Sequence, residues 1–348
     1  MSSATLAARP DSPDTLAPHY VRELPILVLF PHSRCNCRCV MCDIWRIRQV
    51  RELTTADLEP HLAGLRQLRV RWVVFSGGEP LMASHLPALA RKFRDEGIRT
   101  TLLTTGLILA QHADAVAELM DDVIVSLDGP AELHDRIRGV PRAFERLKQG
   151  IDACRQRRAS LPIHGRCTVQ KENFRQLRAL IPAARELQLD SLSFLAADVT
   201  SEAFNRPVRW TEGRASHVAL DAAEADELET EIEALIRQYN REMHSGFIRE
   251  DPEKLRRIAR HFRCHLGQLV PLAPHCNAPW VSAVIEADGT VRPCFFHRPV
   301  GNIQEGPLAE ILNSSEAVRF RRQLDVAHNE ICQRCVCSLF LEVEHANR

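Results

Sequence analysis

From residue 24 to residue 196 the chain repeats one unit, a strand-sized apolar run followed by a helical stripe. The strand-like runs are 25–30 (PILVLF), 71–75 (RWVVF), 99–103 (RTTLL), 122–127 (DVIVSL), 162–169 (PIHGRCTV) and 190–195 (DSLSFL). After Ser84, read as an N-cap, Leu86, Leu89, Ala90 and Phe93 recur at helical spacing, and after Asn173 so do Leu177, Ile181, Ala184 and Leu187. Strands alternating with helices of this length form parallel βαβ units, because a crossover helix is needed to return the chain to the same sheet edge. Six such units are too few to close an eightfold barrel. The expected core is therefore α/β, a partial (β/α)6 barrel or open sheet.

The flanking segments differ in character. Residues 1–23 are rich in Ala, Pro, Ser and Asp and lack periodicity, which predicts a mobile arm. The barrel is assigned to 24–215, a charge-rich helical connection to 216–265 with a break at 244–247 (HSGF), and a small domain to 266–348. In that last part VSAVIE (281–286) and TVRPCFF (290–296) flank Asp288-Gly289, a tight-turn pair, and predict a β-hairpin. One short helix is expected at 307–323. Lys+Arg and Asp+Glu balance at 45 each, so no electrostatic case exists for nucleic acid or an anionic membrane as partner. No apolar run approaches the roughly 20 residues of a membrane span, and the N-terminus lacks the apolar stretch of a signal peptide. A cytoplasmic location is the expectation.

In a reducing cytosol clustered thiols mean metal more often than disulfide, and several of the twelve cysteines are clustered. Cys35-x3-Cys39-x2-Cys42 follows the first strand, at the end of the sheet where α/β folds place their active sites. Three thiolates can hold three corners of a [4Fe–4S] cluster and leave one iron open. Zinc is the alternative, since Cys-x2-Cys is a common half-site and Cys37 would supply a fourth thiol. Cys276 and Cys294 bracket the hairpin, and Cys332-x2-Cys335 adds two thiols near the C-terminus, with Cys337 just beyond. Four such ligands from two distant segments would fasten the tail to the hairpin.

The first triad, together with Ser76-Gly77-Gly78-Glu79-Pro80 after the second strand, Val125-Ser126-Leu127-Asp128-Gly129 after the fourth and His134-Asp135-Arg136-Ile137-Arg138-Gly139 beyond it, resembles the radical S-adenosylmethionine (SAM) superfamily. The resemblance implies a partial barrel, a [4Fe–4S] cluster on Cys35, Cys39 and Cys42, and SAM bound to the open iron. Gly77 and Gly78 would let backbone approach the SAM amino group, and Glu79 would offer it a carboxylate. Met41 would lie against the adenine. Ser126 and Arg166 would contact the ribose or carboxylate, and Cys37 would be a bystander. The C-terminal cysteines resemble the SPASM and twitch auxiliary regions of that superfamily. With few cysteines after the Cys-x2-Cys pair, one auxiliary [4Fe–4S] on Cys276, Cys294, Cys332 and Cys335 is implied, with Cys337 as alternate to Cys335.

The implied chemistry is hydrogen abstraction by a 5′-deoxyadenosyl radical, with an external flavodoxin- or ferredoxin-type electron donor and the auxiliary cluster receiving the substrate's electron. A segment too short for a leader-binding domain before the barrel points to a small polar substrate, such as a sugar, cyclitol or nucleoside conjugate, with Asp198, Asn205 and Arg206 at the barrel mouth as hydroxyl ligands. Peptide modification, epimerisation with Cys264, Cys167 or Cys337 as hydrogen donor, decarboxylation, and a zinc-binding interaction protein are the alternatives.

Overall fold

In the computed structural model, which describes residues 17–206 and 208–342, all six expected strands form. They are β1 (Ile26–Leu29), β2 (Trp72–Phe75), β3 (Arg99–Thr104), β4 (Asp122–Ser126), β5 (Ile163–Val169) and β6 (Ser191–Ala196). Each is parallel to the next in sequence order. The hairpin strands β7 (Ser282–Ile285) and β8 (Thr290–Arg292) and the short β9 (Gly301–Asn302) do not stand apart. β7 pairs in parallel with β1, Leu27 opposite Ala283, and one sheet runs β6-β5-β4-β3-β2-β1-β7-β8-β9. Among the described residues β6 and β9 are the two ends of that order, so the barrel is open.

Side chains alternate across each strand. On β5, Ile163, Gly165, Cys167 and Val169 are buried, whereas His164, Arg166 and Thr168 are only half-buried. The buried face carries the helices. The helix Leu86–Asp95 turns Leu86, Leu89, Ala90 and Phe93 into the sheet, and Phe93 meets Phe75 of β2 edge-on at 6.1 Å. Burying side chains of this size stabilises by roughly 1.5–3 kcal/mol each. The opposite face of β5 and β6 keeps Ser193 and Leu195 half-open as well. Parallel sheets are normally covered on both faces. A half-open parallel face is where a ligand fits.

Several expectations are corrected. Ser84 does not cap the helix that follows it, because its hydroxyl donates to Glu52 Oε1 at 2.9 Å and His85 stands at the cap. The arm predicted at 1–23 is tied down at its end: Val21 exchanges two hydrogen bonds with the Asn313 side chain, and the buried Arg321 guanidinium donates to His19 O. Residues 1–16 lie outside the described residues. The single helix expected at 307–323 is two, Leu308–Leu312 and Ser315–Gln323, because the Ser314 hydroxyl caps the second by accepting from Ala317 N.

Candidate active site

The cysteine loop leaves β1 and is held by its backbone on three sides. On the first, Glu79 N donates to Arg34 O at 2.9 Å, and a Cβ on Gly78 would lie 2.1 Å from that same oxygen. Gly77 stands at φ +102°, with the Phe30 ring where its side chain would be. On the second, Arg38 N donates to Arg138 O at 2.8 Å, and Gly139 lies against Arg38 O. On the third, Arg206 donates to Met41 O, Arg214 to Val40 O and Asn205 to Asp43 O, at 2.8–3.0 Å. Asp198, Asn205 and Arg206 therefore do not present themselves to a substrate. Asp198 and Arg206 form a fully buried ion pair that braces this loop. Gly78→Ala should displace the loop, because backbone cannot yield 2.1 Å to a methyl carbon. The expected result is loss of iron from the first site and a fall in SAM cleavage of at least about a hundredfold, read by iron assay and 5′-deoxyadenosine yield.

The thiols of Cys35, Cys37, Cys39 and Cys42 pack together beside Leu107 and Ala143. Each member of the x3–x2 triad receives an N–H donor: Cys35 Sγ from Cys37 N (3.5 Å), Cys39 Sγ from the Arg138 guanidinium (3.6 Å) and Cys42 Sγ from Ile44 N (3.4 Å). Such bonds favour the thiolate that ligates iron. Cys37 has no N–H of this kind among the described hydrogen bonds. Its thiol lies against those of Cys35 and Cys39, which push it up, and burial adds to this. Cys39 is held down at about 7, first by the Cys37 thiol and then by Arg138 working against burial. Burial pushes Cys42 up to about 12 as well, so it is the N–H donors that separate Cys37 from the other three.

Glu79 has a different task from the one expected. It is fully buried, and its two oxygens accept from Leu81 N, Thr104 Oγ1, Thr105 N and Thr105 Oγ1 at 2.7–3.1 Å. With four donors and no exposed surface, the carboxylate ties the loop after β2 to the end of β3 rather than facing a ligand. Met41 is half-buried, and Gln170 Nε2 points at its sulfur from 3.5 Å. Ser126 and Arg166 are direct register partners on the half-open face. Buried polar atoms near the loop lack partners, among them Asn36 Nδ2 between Cys35 and Cys37, Arg138 Nε and Gln170 Oε1, and so does Arg166 Nε on β5. Three thiols with N–H donors, a glycine cradle and orphaned polar atoms near the loop fit a cluster of three protein ligands with SAM against it.

Sequence reasoning gave no role to Asp128 and Arg138. They form a buried ion pair at 2.5 Å, and Asp128 also accepts from Thr168 N. The motifs containing both were visible; the pairing was not. His134, fully buried nearby, accepts from Asp128 N through Nδ1, and burial, helped by Arg138, holds it down at about 3. The unfolded chain takes up that proton near pH 6.5 and the folded chain does not. Stability is therefore full above pH 6.5 and falls as pH drops toward 3, at about 1.4 kcal/mol per pH unit. Urea unfolding at pH 7 and pH 5 should show the loss, and His134→Gln should reduce the slope.

At the second site, Cys276 precedes the hairpin, Cys294 follows β8, and Cys332 and Cys335 lie on and just after the short helix Glu330–Gln333. The tail is pinned beside Cys276, since Asn277 pairs with Leu339 and Leu341 at 2.7–3.0 Å and His275 stacks on Phe340. Burial pushes Cys332 up to about 12, and Cys294 and Cys276 add to it. Burial raises Cys335 too, with Cys337, Cys294 and Cys276 contributing. Cys276 and Cys294 beside the hairpin are thus within electrostatic reach of Cys332 and Cys335 in the tail. His297 Nε2 lies 3.4 Å from Cys332 Sγ, a neighbour that sequence reasoning missed. Cys337 also feels Arg166 and Asp198, on the barrel side. The other proposed hydrogen donors are not brought to the half-open face. Cys167 is buried on the helix side of β5, and Cys264 sits off the buried stripe of the helix Pro252–His265.

A model of the radical SAM superfamily matches residues 29–181, and one of the SPASM iron–sulfur cluster-binding domain matches residues 276–336. The chain belongs to the radical SAM superfamily. It carries a C-terminal SPASM-type region, and its cofactors are SAM, a SAM-binding [4Fe–4S] cluster and auxiliary iron–sulfur. Zinc as the organising metal is thereby set aside. The Fe-coproporphyrin III synthase of Methanosarcina barkeri is 26% identical over 89% of this chain and 80% of its own length. An AdoMet-dependent heme synthase of the same organism is 34% identical over 44% of this chain and 45% of its own. Among solved structures, Streptococcus suis SuiB bound to SAM superposes with a TM-score of 0.62 at 16% identity, covering 94% of this chain and 75% of SuiB. That likeness establishes the fold. No helix among the described residues is long and apolar enough to cross a membrane.

Proposed function

We propose that this radical SAM enzyme removes a hydrogen atom from a small, carboxylate-bearing organic substrate of the tetrapyrrole class, in a net oxidation. The observation that carries the reading is the pairing of β7 with β1. It sets Phe295, next to Cys294, against Phe30, which leads into the first cysteine loop, with ring centroids 5.7 Å apart. That contact supports a reading in which the two cysteine sites border one space. The substrate class is supported by the M. barkeri relative, whose likeness spans most of both chains. The narrower expectation of a sugar, cyclitol or nucleoside conjugate has no counterpart among the relatives described above.

In this reading Cys35, Cys39 and Cys42 hold the first cluster, which when bound and reduced supplies the 5′-deoxyadenosyl radical from SAM. Cys276, Cys294, Cys332 and Cys335 hold an auxiliary cluster, which when bound supplies an electron sink. The Arg166 guanidinium, with its unpartnered Nε, meets the SAM carboxylate, and Ser126 stands beside it. Gln170 fixes the Met41 thioether against the adenine. Glu79, through Thr104 and Thr105, keeps the Gly77-Gly78 backbone rigid beneath the ligand.

The test is incubation of anaerobically reconstituted enzyme with SAM, reductant and coproporphyrin-type tetrapyrroles deuterated on their carboxylate side chains. Deuterium in the 5′-deoxyadenosine is the expected result. Deuterium arriving only from an aminocyclitol, a nucleoside or a peptide would replace the substrate class.

A further inference from the structure

A cavity of about 560 Å³ lies against the outgoing end of the first cysteine loop, lined in part by the same Asp43, Arg206 and Arg214 that hold that loop. Four arginines line it, Arg46, Arg206, Arg209 and Arg214, around the indole of Trp210. The Arg206 and Arg214 guanidiniums lie 3.8 Å and 4.5 Å from the indole centroid. Two carboxylates meet these four cations. Asp198 is spent on Arg206. Asp43, the residue after Cys42, is shared by Arg46 (3.0 Å), Arg214 (3.6 Å) and the Trp210 N–H (2.6 Å). Arg209 has no carboxylate partner among the described residues. The Arg206 side chain is completely buried, yet its Nε has no acceptor. A cavity of ligand size with this surplus of guanidinium fits an organic anion, because arginine forks match carboxylates in pairs of hydrogen bonds.

Beside the cavity, beyond Arg206, runs a chain of rings that meet edge to face. Arg206 also lies 5.2 Å from the Phe204 ring, which meets Phe295 at 4.8 Å, and Phe295 meets Phe30. All three rings are half-buried. Phe204 stands at φ +60°, a conformation that costs a non-glycine residue on the order of 1 kcal/mol. Its carbonyl holds Asp43 N there, at 3.3 Å.

We propose that the cavity and the rings beside it are the binding site for the polar arm and apolar body of the substrate, which is a planar polycarboxylate: carboxylates among Arg46, Arg209 and Arg214, and the apolar body beside Phe204, Phe295 and Phe30, with Arg206 holding the floor of the site through its pair with Asp198. This deepens the proposed function and rests on its carboxylate-bearing substrate.

The test measures binding of coproporphyrin III to SAM-free, reconstituted enzyme by equilibrium dialysis, apart from turnover. Arg46→Gln and Arg209→Gln should each weaken binding by about tenfold and the double variant by more. Both side chains are at the surface, so thermal midpoints should match the parent. Phe204→Ala should also weaken binding, and raising salt from 0.05 to about 0.5 M should loosen it in the parent more than in the double variant. Parent affinity in the double variant, or binding indifferent to salt, overturns the site. Displacement of the porphyrin by equimolar pyrophosphate would overturn the polycarboxylate in favour of a phosphate ligand. Arginine-dependent binding without deuterium transfer would leave the site and remove the reaction. Deuterium transfer with parent affinity in the double variant would do the reverse.

Discussion

Cys39→Ala should abolish 5′-deoxyadenosine formation and lower the iron content from about eight to about four per chain, while Cys37→Ala should leave both near the parent. The two thiols are two residues apart, both buried and mutually in contact, so composition alone would not predict opposite outcomes. The difference lies in their donors. Cys39 receives the Arg138 guanidinium, a charged donor that favours the ligating thiolate and remains when Cys37 is removed. Cys37 receives no such N–H and is pushed up. Iron assay, electronic spectra of oxygen-free preparations and chromatographic detection of 5′-deoxyadenosine decide the matter. Retained SAM cleavage in Cys39→Ala, together with its loss in Cys37→Ala, would move the ligand register to Cys37 and refute the triad.

Most of the sheet was legible because its signals are local. Each strand from β1 to β6 falls within or close to a run picked out by its apolar residues, and the hairpin turn at Asp288-Gly289 forms with Gly289 at φ +85°. The stripe Leu177, Ile181, Ala184 and Leu187 is buried throughout, although the α-helix proper begins only at Leu180. What escaped was partnership at long range. Nothing near Ser282–Ile285 announces that β1, more than 250 residues earlier, is its neighbour. The end of the N-terminal segment looked unstructured because the groups that hold it, Asn313 and Arg321, lie 292 and 302 residues away.

The site shows the same division. Cysteine spacing and the Gly-Gly-Glu segment drew attention to one region, and in the fold Gly77 packs on Phe30 and Gly78 on the Arg34 carbonyl where the cysteine loop begins. Their tasks were harder to read, since polarity reveals that a side chain needs a partner but not which one. Glu79, Asp198, Asn205 and Arg206 all looked suited to a ligand. All four instead serve loop backbone or one another. In a loop crowded with thiols, backbone N–H and C=O groups cannot be left unpaired, and nearby polar side chains are drawn into satisfying them.

Arg138→Met should destabilise the fold by about 3–5 kcal/mol, because Asp128, with no exposed surface, is left as an uncompensated buried charge. Thr168 N would still donate to it, yet one amide cannot replace a guanidinium. Pairing the change with Asp128→Asn removes the stranded charge and keeps an acceptor for Thr168 N, so the double variant should recover most of the lost stability in urea unfolding. Its chemistry should not recover. Arg138 also donates to Cys39 Sγ, and its carbonyl receives Arg38 N from the cysteine loop. The carbonyl survives the substitution; the bond to sulfur does not. A double variant that folds like the parent but cleaves SAM poorly would assign Arg138 two separable tasks, one on each side of its guanidinium. Parent-level cleavage in the double variant would show that the buried pair serves the fold alone, and that Cys39 needs no donor beyond the loop itself.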